Sequence, residues 1–146
     1  MIWSIKINRR GLIFLERLLI HFTFFFTPLL FVLNTKELFE FPKMNLVYAA
    51  VTILSFLLLI SRRFKPRHLP LGLLPFLAFS ALASFYSSHP YTSFWGYYSR
   101  FNGGLLSLLA FFLLVTTLNN FLSGRSVREL INTLWLSANF VSFYAL

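Results

Sequence analysis

The segments LPLGLLPFLAFSALASF at Leu69–Phe85 and LLSLLAFFLLVTTLNNFL at Leu105–Leu122 contain no charged residue, and YSSHPYTSFWGYYSRFNGG at Tyr86–Gly104 joins them. At about 1.5 Å of rise per residue, an uncharged helix of that length covers roughly 25 to 30 Å, the hydrocarbon thickness of a bilayer. Three more runs of similar length flank this pair. Met44–Ile60 and Leu130–Leu146 are also uncharged, and Leu12–Leu33 is interrupted by Glu16 and Arg17 near its start. The predicted fold is therefore all-α, a polytopic membrane bundle of five transmembrane helices at about 12–33, 44–60, 69–85, 105–122 and 130–146. Composition agrees: 58% of residues are hydrophobic, only 12% are charged and the mean hydropathy is +0.73, which is outside the range of ordinary globular domains.

Basic residues set the expected orientation, because cytoplasmic loops carry the Lys and Arg excess. Lys6, Arg9 and Arg10 precede the first run; Arg62, Arg63, Lys65 and Arg67 separate the second from the third; Arg125 and Arg128 separate the fourth from the fifth. The opposite connections hold Lys36, Lys43 and Arg100. The N-terminus is thus expected in the cytoplasm and Tyr86–Gly104 outside. The net charge of +9 comes from short loop clusters rather than one continuous basic surface, which argues against nucleic-acid binding. The first run is read as a retained anchor, not a cleaved signal, because no small-residue cleavage site follows it. The last run reaches Leu146 with no polar flank, which predicts the N-terminal part of a longer polytopic protein.

Several chemistries lack their residues. There is no Asp and no Cys, so Asp-based metal motifs, disulfides and thiolate sites are excluded. No phosphate-cradling G-x-x-x-x-G-K-[ST] loop is present. His21, His68 and His89 are scattered without a second ligand at metal spacing, so neither cofactor nor metal is expected. Arg17 and His21 share a helix face at i, i+4 beside Glu16. Their closeness to the inner membrane face favours structural pairing over a proton relay, with His21 as a polar helix contact.

The external loop holds the candidate site. Thr92 as N-cap and Gly103–Gly104 as terminators predict a short helix over Ser93–Asn102. On it, Phe94, Tyr97, Tyr98 and Phe101 share a face suited to the headgroup boundary, and Ser93, Gly96 and Arg100 share another. Arg100, cleared by two small residues, suits a phosphate or pyrophosphate that its planar fork can hold bidentately. Aromatic faces at Trp95, Tyr97 and Tyr98 can stack on sugar rings. The same residues also describe an ordinary interfacial anchor, in which aromatics form a belt and arginine snorkels. His89, beside Pro90, is expected to be solvated. The first external connection, NTKELFEFPK at Asn34–Lys43, balances Lys36 and Lys43 against Glu37 and Glu40 and reads as an interfacial turn leading into the second span at Pro42.

These two external segments carry a resemblance. NTKELFEFPK at Asn34–Lys43, followed by the Ser87–Ser107 stretch with G-x-x-x-R-x-x-G at Gly96, Arg100 and Gly103, resembles the N-terminal half of the bacterial O-antigen ligase and O-antigen polymerase superfamily. The resemblance implies a metal- and nucleotide-independent glycan transferase in the bacterial cytoplasmic membrane. Its donor would be an undecaprenyl-diphosphate-linked oligosaccharide, and its acceptor a glycan, lipid A core or protein. The substrate-binding residues it implies are Arg100, Trp95, Tyr97 and Tyr98. The catalytic later half of that fold lies beyond Leu146, so no catalytic residue carries over and a chain of this extent is expected to be inactive by itself. A non-catalytic membrane scaffold, or a component of a lipid-linked glycan flippase, is the alternative.

Overall fold

A computed structural model describes residues 9–30, 40–97 and 101–145. Among them the chain is all-helical, with no strand. Helix α1 spans Arg9–Leu29, α2 Glu40–Ile60, α3 Leu74–Phe85, α4 Pro90–Trp95, α5 Leu105–Phe121 and α6 Gly124–Ala145. By length and composition, α1 from Arg10 and α2 are the two helices long and apolar enough to cross a membrane.

Five of these helices lie on the five apolar runs, with boundaries that differ for local reasons. The third run begins with a 3-10 turn at Leu71–Leu73, and α3 starts only at Leu74. Pro70 and Pro75 explain the delay, since proline supplies no N–H and is tolerated only in a helix's first turn. The second run is extended backwards to Glu40, which puts Pro42 inside that permissive first turn. The last run gains most. Arg125, Arg128 and Glu129, expected in a connection, belong to the opening turns of α6, where Val127 N donates to Ser123 O at 2.9 Å. Arg, Glu and Leu are good helix formers and nothing after Gly124 breaks the pattern. Residues 34–39 of the connection expected to be external lie outside the described residues.

Helix α2 sits between α1 and α5, α6 lies along α1, and α3 packs on α5. The core gathers where four helices meet: Ile20 of α1, Leu54 and Leu58 of α2, Phe121 of α5 and Leu130 of α6. Leu54 is 0% exposed at this junction. Polar links fasten the same packing. His21 Nδ1 and Thr133 Oγ1 are hydrogen-bonded at 2.8 Å between α1 and α6, and the buried Ser137 Oγ donates to Phe25 O at 2.7 Å. His21 is therefore a helix contact, as its position implied. Glu16 does not pair with Arg17 or His21. Its Oε2 accepts from Arg63 Nη1 at 2.9 Å, just beyond the end of α2, while Arg17 is exposed.

The junction sets the mechanical prediction. Leu54→Ala should cost about 2–4 kcal/mol through lost contacts and a residual cavity. Phe79→Ala, at a side chain 72% exposed, should change stability by less than about 0.5 kcal/mol. Denaturant unfolding in detergent micelles, followed by circular dichroism, measures both.

Candidate functional site

The connection between α3 and α5 departs from its expected form. Helix α4 begins at Pro90, with His89 as N-cap residue, and ends at Trp95 because Gly96 takes φ 86° and ψ −167°. A proline at the first helical position and a glycine just past the last are the usual asymmetry of helix ends. The expected helix over Ser93–Asn102 is corrected accordingly. The helix that would have carried Ser93, Gly96 and the Phe94–Tyr97 stripe onward stops at Trp95.

After Gly96 the chain closes on itself. Tyr97 N donates to Asn102 O at 3.2 Å, and Phe101 N donates to Tyr97 O at 2.9 Å. Gly96 lies against this closure so tightly that a Cβ there would overlap Asn102 O and stand 2.7 Å from its carbonyl carbon. A Cβ on Gly104 would stand 2.6 Å from Phe94 O and 2.7 Å from Trp95 C. Real Cβ atoms do not approach backbone so closely, so both positions require glycine for space, and Gly96 also for its positive φ. The turn then passes into α5: Gly103 N donates to Asn102 Oδ1 at 2.8 Å and to Ser107 Oγ at 3.1 Å, and Ser107 Oγ donates to Gly104 O at 2.7 Å.

Helix α2 supports the turn from the side. Tyr48 Oη donates to Phe101 O at 2.6 Å, and the Phe41 and Phe101 rings lie 5.6 Å apart. Phe101 itself takes φ 50°, a left-handed conformation that a bulky residue holds only under tertiary constraint. The Trp95 ring stands edge-on to Phe94 at 5.3 Å and to Phe101 at 6.4 Å. At the other end, Ser93 Oγ donates to Ser87 Oγ at 2.7 Å, and His89 N donates to the same oxygen at 3.1 Å.

The candidate residues fare differently. Trp95 closes α4, partly sheltered by its aromatic neighbours. Tyr97 is 71% exposed beside it. Arg100 and Tyr98 lie outside the described residues, within a stretch whose two sides, Tyr97 and Phe101, are bonded to each other. His89 is exposed. Among the described residues no three His, Cys, Asp or Glu side chains converge as metal ligands would. Phe41 and Tyr48 are contributors that spacing along the chain did not single out, and Gly104, expected as a helix terminator, contributes instead by close backbone packing. The signal present for Tyr48 was a phenol within an apolar run, since a buried Tyr hydroxyl usually finds a partner.

No family model, curated protein or solved structure matches this chain.

The turn's architecture is testable by substitution. Gly96→Ala and Gly104→Ala should each open the turn, whereas Gly72→Ala, where a Cβ meets nothing within 4 Å, should not. Tyr48→Phe removes one hydrogen bond worth about 1 kcal/mol and should speed exchange of the Phe101 amide about fivefold. Hydrogen exchange of the purified chain reads all four variants.

Proposed function

We propose that this chain is the N-terminal transmembrane part of a glycan ligase or polymerase. It acts on undecaprenyl-diphosphate-linked oligosaccharide at the external face of the bacterial cytoplasmic membrane. In this reading α1, α2, α3, α5 and α6 are five membrane spans, the N-terminus is cytoplasmic, and the Gly96–Gly104 turn faces outward. Helix α3 with its preceding 3-10 turn runs over Leu71–Phe85, roughly 22 Å, and crosses where the bilayer thins or the chain enters obliquely.

The observation that carries the reading is the glycine-bounded turn itself. A motif of Gly, Arg and Gly gains meaning when its spacing serves geometry, and here Gly96 lies with backbone directly on backbone while Gly103 takes a positive φ of 81°. Such closure, with a left-handed Phe101 held by Tyr48, is the kind of constraint found where a side chain must be pre-positioned. Arg100 supplies a planar, permanently charged fork for the donor diphosphate. Trp95, Tyr97 and Tyr98 supply aromatic faces for the first sugars. The acceptor is a glycan, lipid A core or protein, and neither metal nor nucleotide is needed, because the diphosphate carrier is itself the leaving group.

The test replaces Arg100 at the chromosomal locus. Arg100→Ala should lower glycan transfer about 10- to 100-fold, as expected for losing charge-assisted hydrogen bonds to a phosphate. Arg100→Lys, which keeps the charge but not the fork, should also fail to restore it. Accumulated lipid-linked glycan and lost surface polysaccharide are the readouts. Normal transfer with both variants contradicts the donor contact and leaves an interfacial anchor in a scaffold or flippase component.

A further inference from the structure

Helix α6 has two polar sides, and α1 covers one of them. Ser126, Leu130 and Ser137 are buried and Thr133 is half-buried; Thr133 meets His21 of α1, and Ser137 meets Phe25 O. At about 100° per residue, the side directly opposite carries Arg128, Trp135, Asn139 and Ser142, with Asn132 and Ala138 at its edges. Asn139 is half-buried and the other five are exposed, Trp135 to 69%. Helix α6 has 22 residues and is about 33 Å long, so Asn132 and Asn139 lie about 12 and 22 Å from its start. With α6 as a membrane span, both carboxamides sit within the hydrocarbon, turned away from α1. Asn139 Nδ2 donates to Trp135 O at 2.7 Å, while the Asn132 side chain makes no hydrogen bond among the described residues. A carboxamide has two N–H donors and a carbonyl acceptor, and in hydrocarbon no water meets those left over. Asparagine in a span is therefore spent on contacts between helices. Ala138 and Ser142, four residues apart, add a shallow strip on the same side, the Ser142 hydroxyl folded back onto Ala138 O at 3.0 Å. A second backbone can approach closely along such a strip.

We propose that this side of α6 pairs with α6 of a second copy of the chain, the two helices parallel about a two-fold axis along the membrane normal. Self-complementarity selects the occupant. In such a pair each residue near the axis faces its own counterpart. A carboxamide both donates and accepts, so Asn132 and Asn139 each satisfy their own copies and need no foreign sequence. Their separation of seven residues returns both to the same seam of a left-handed helix pair, and asparagine at such a position fixes register and a two-stranded state. Arg128, also on this side, lies near the helix start at the membrane boundary, where water and the adjoining Glu129 offset the like charge. The proposal rests on α6 crossing a membrane and not on the transfer reaction.

The test uses single cysteines in the full chain, oxidised in isolated membranes and read on non-reducing gels. Ala138→Cys and Ser142→Cys should give cross-linked dimers. Leu136→Cys, at a side chain 47% exposed but turned aside, and Phe79→Cys on α3, at one 72% exposed, should not. Energy transfer between N-terminally labelled copies in liposomes then measures dimer dissociation. Asn132→Leu should raise the dissociation constant about three- to thirtyfold, as one interhelical hydrogen bond allows. That side chain bonds to no other described residue, so the substitution leaves the fold of the single chain in place. Monomer from both Ala138→Cys and Ser142→Cys overturns the proposal. Equal cross-linking from Phe79→Cys overturns it as well, as does a dissociation constant that Asn132→Leu leaves unchanged. Monomeric chains with normal Arg100-dependent transfer would overturn the pairing and leave the proposed function standing.

Discussion

The burial of Leu54 where α1, α2, α5 and α6 converge is the contact on which the arrangement depends. Packing there is close and apolar, and it fixes α2 between its neighbours. Polar contacts then form at both ends of that one helix. Towards its start, Phe41 and Tyr48 reach the Gly96–Gly104 turn; beyond its end, Arg63 reaches Glu16 and Phe121. A rigid element about 30 Å long thus sets the position of a loop on one side and an ion pair on the other.

The turn illustrates how a loop acquires definition without a large core. Among its described residues Tyr97 stands in the open. Order comes instead from backbone pairing across Tyr97, Phe101 and Asn102, from two glycines that let main chain touch main chain, and from Ser107 reaching back from α5. Each component is weak alone. Together they hold Phe101 in a conformation it would otherwise avoid.

Much of the helix placement was legible, because charge-free apolar runs leave few alternatives and five helices lie on those runs. Boundaries were less so. Pro90 and Gly96 carried the signal for α4, yet Thr92 and Gly103 offered an equally regular start and stop, and only the backbone contact between Gly96 and Asn102 separates the two. The partner of Glu16 was not legible at all. Arg17 and His21 were near in sequence, whereas Arg63 is brought in by the pairing of α1 with α2. Tyr48 and Phe101 are likewise distant in sequence and meet only because α2 passes beside the turn. Local periodicity reports which face of a helix is apolar; it does not report which polar atoms two helices bring together.

Membrane crossing with the glycine-bounded turn outside is the central claim, and the chain's lack of cysteine allows it to be tested with single introduced thiols. Ser88→Cys, before α4, and Ser123→Cys, before α6, place one exposed thiol on each presumed side. A small membrane-impermeant maleimide applied to intact cells should label Ser88→Cys fully and Ser123→Cys only after lysis. Equal labelling of the two in intact cells, or the reverse pattern, would contradict the account.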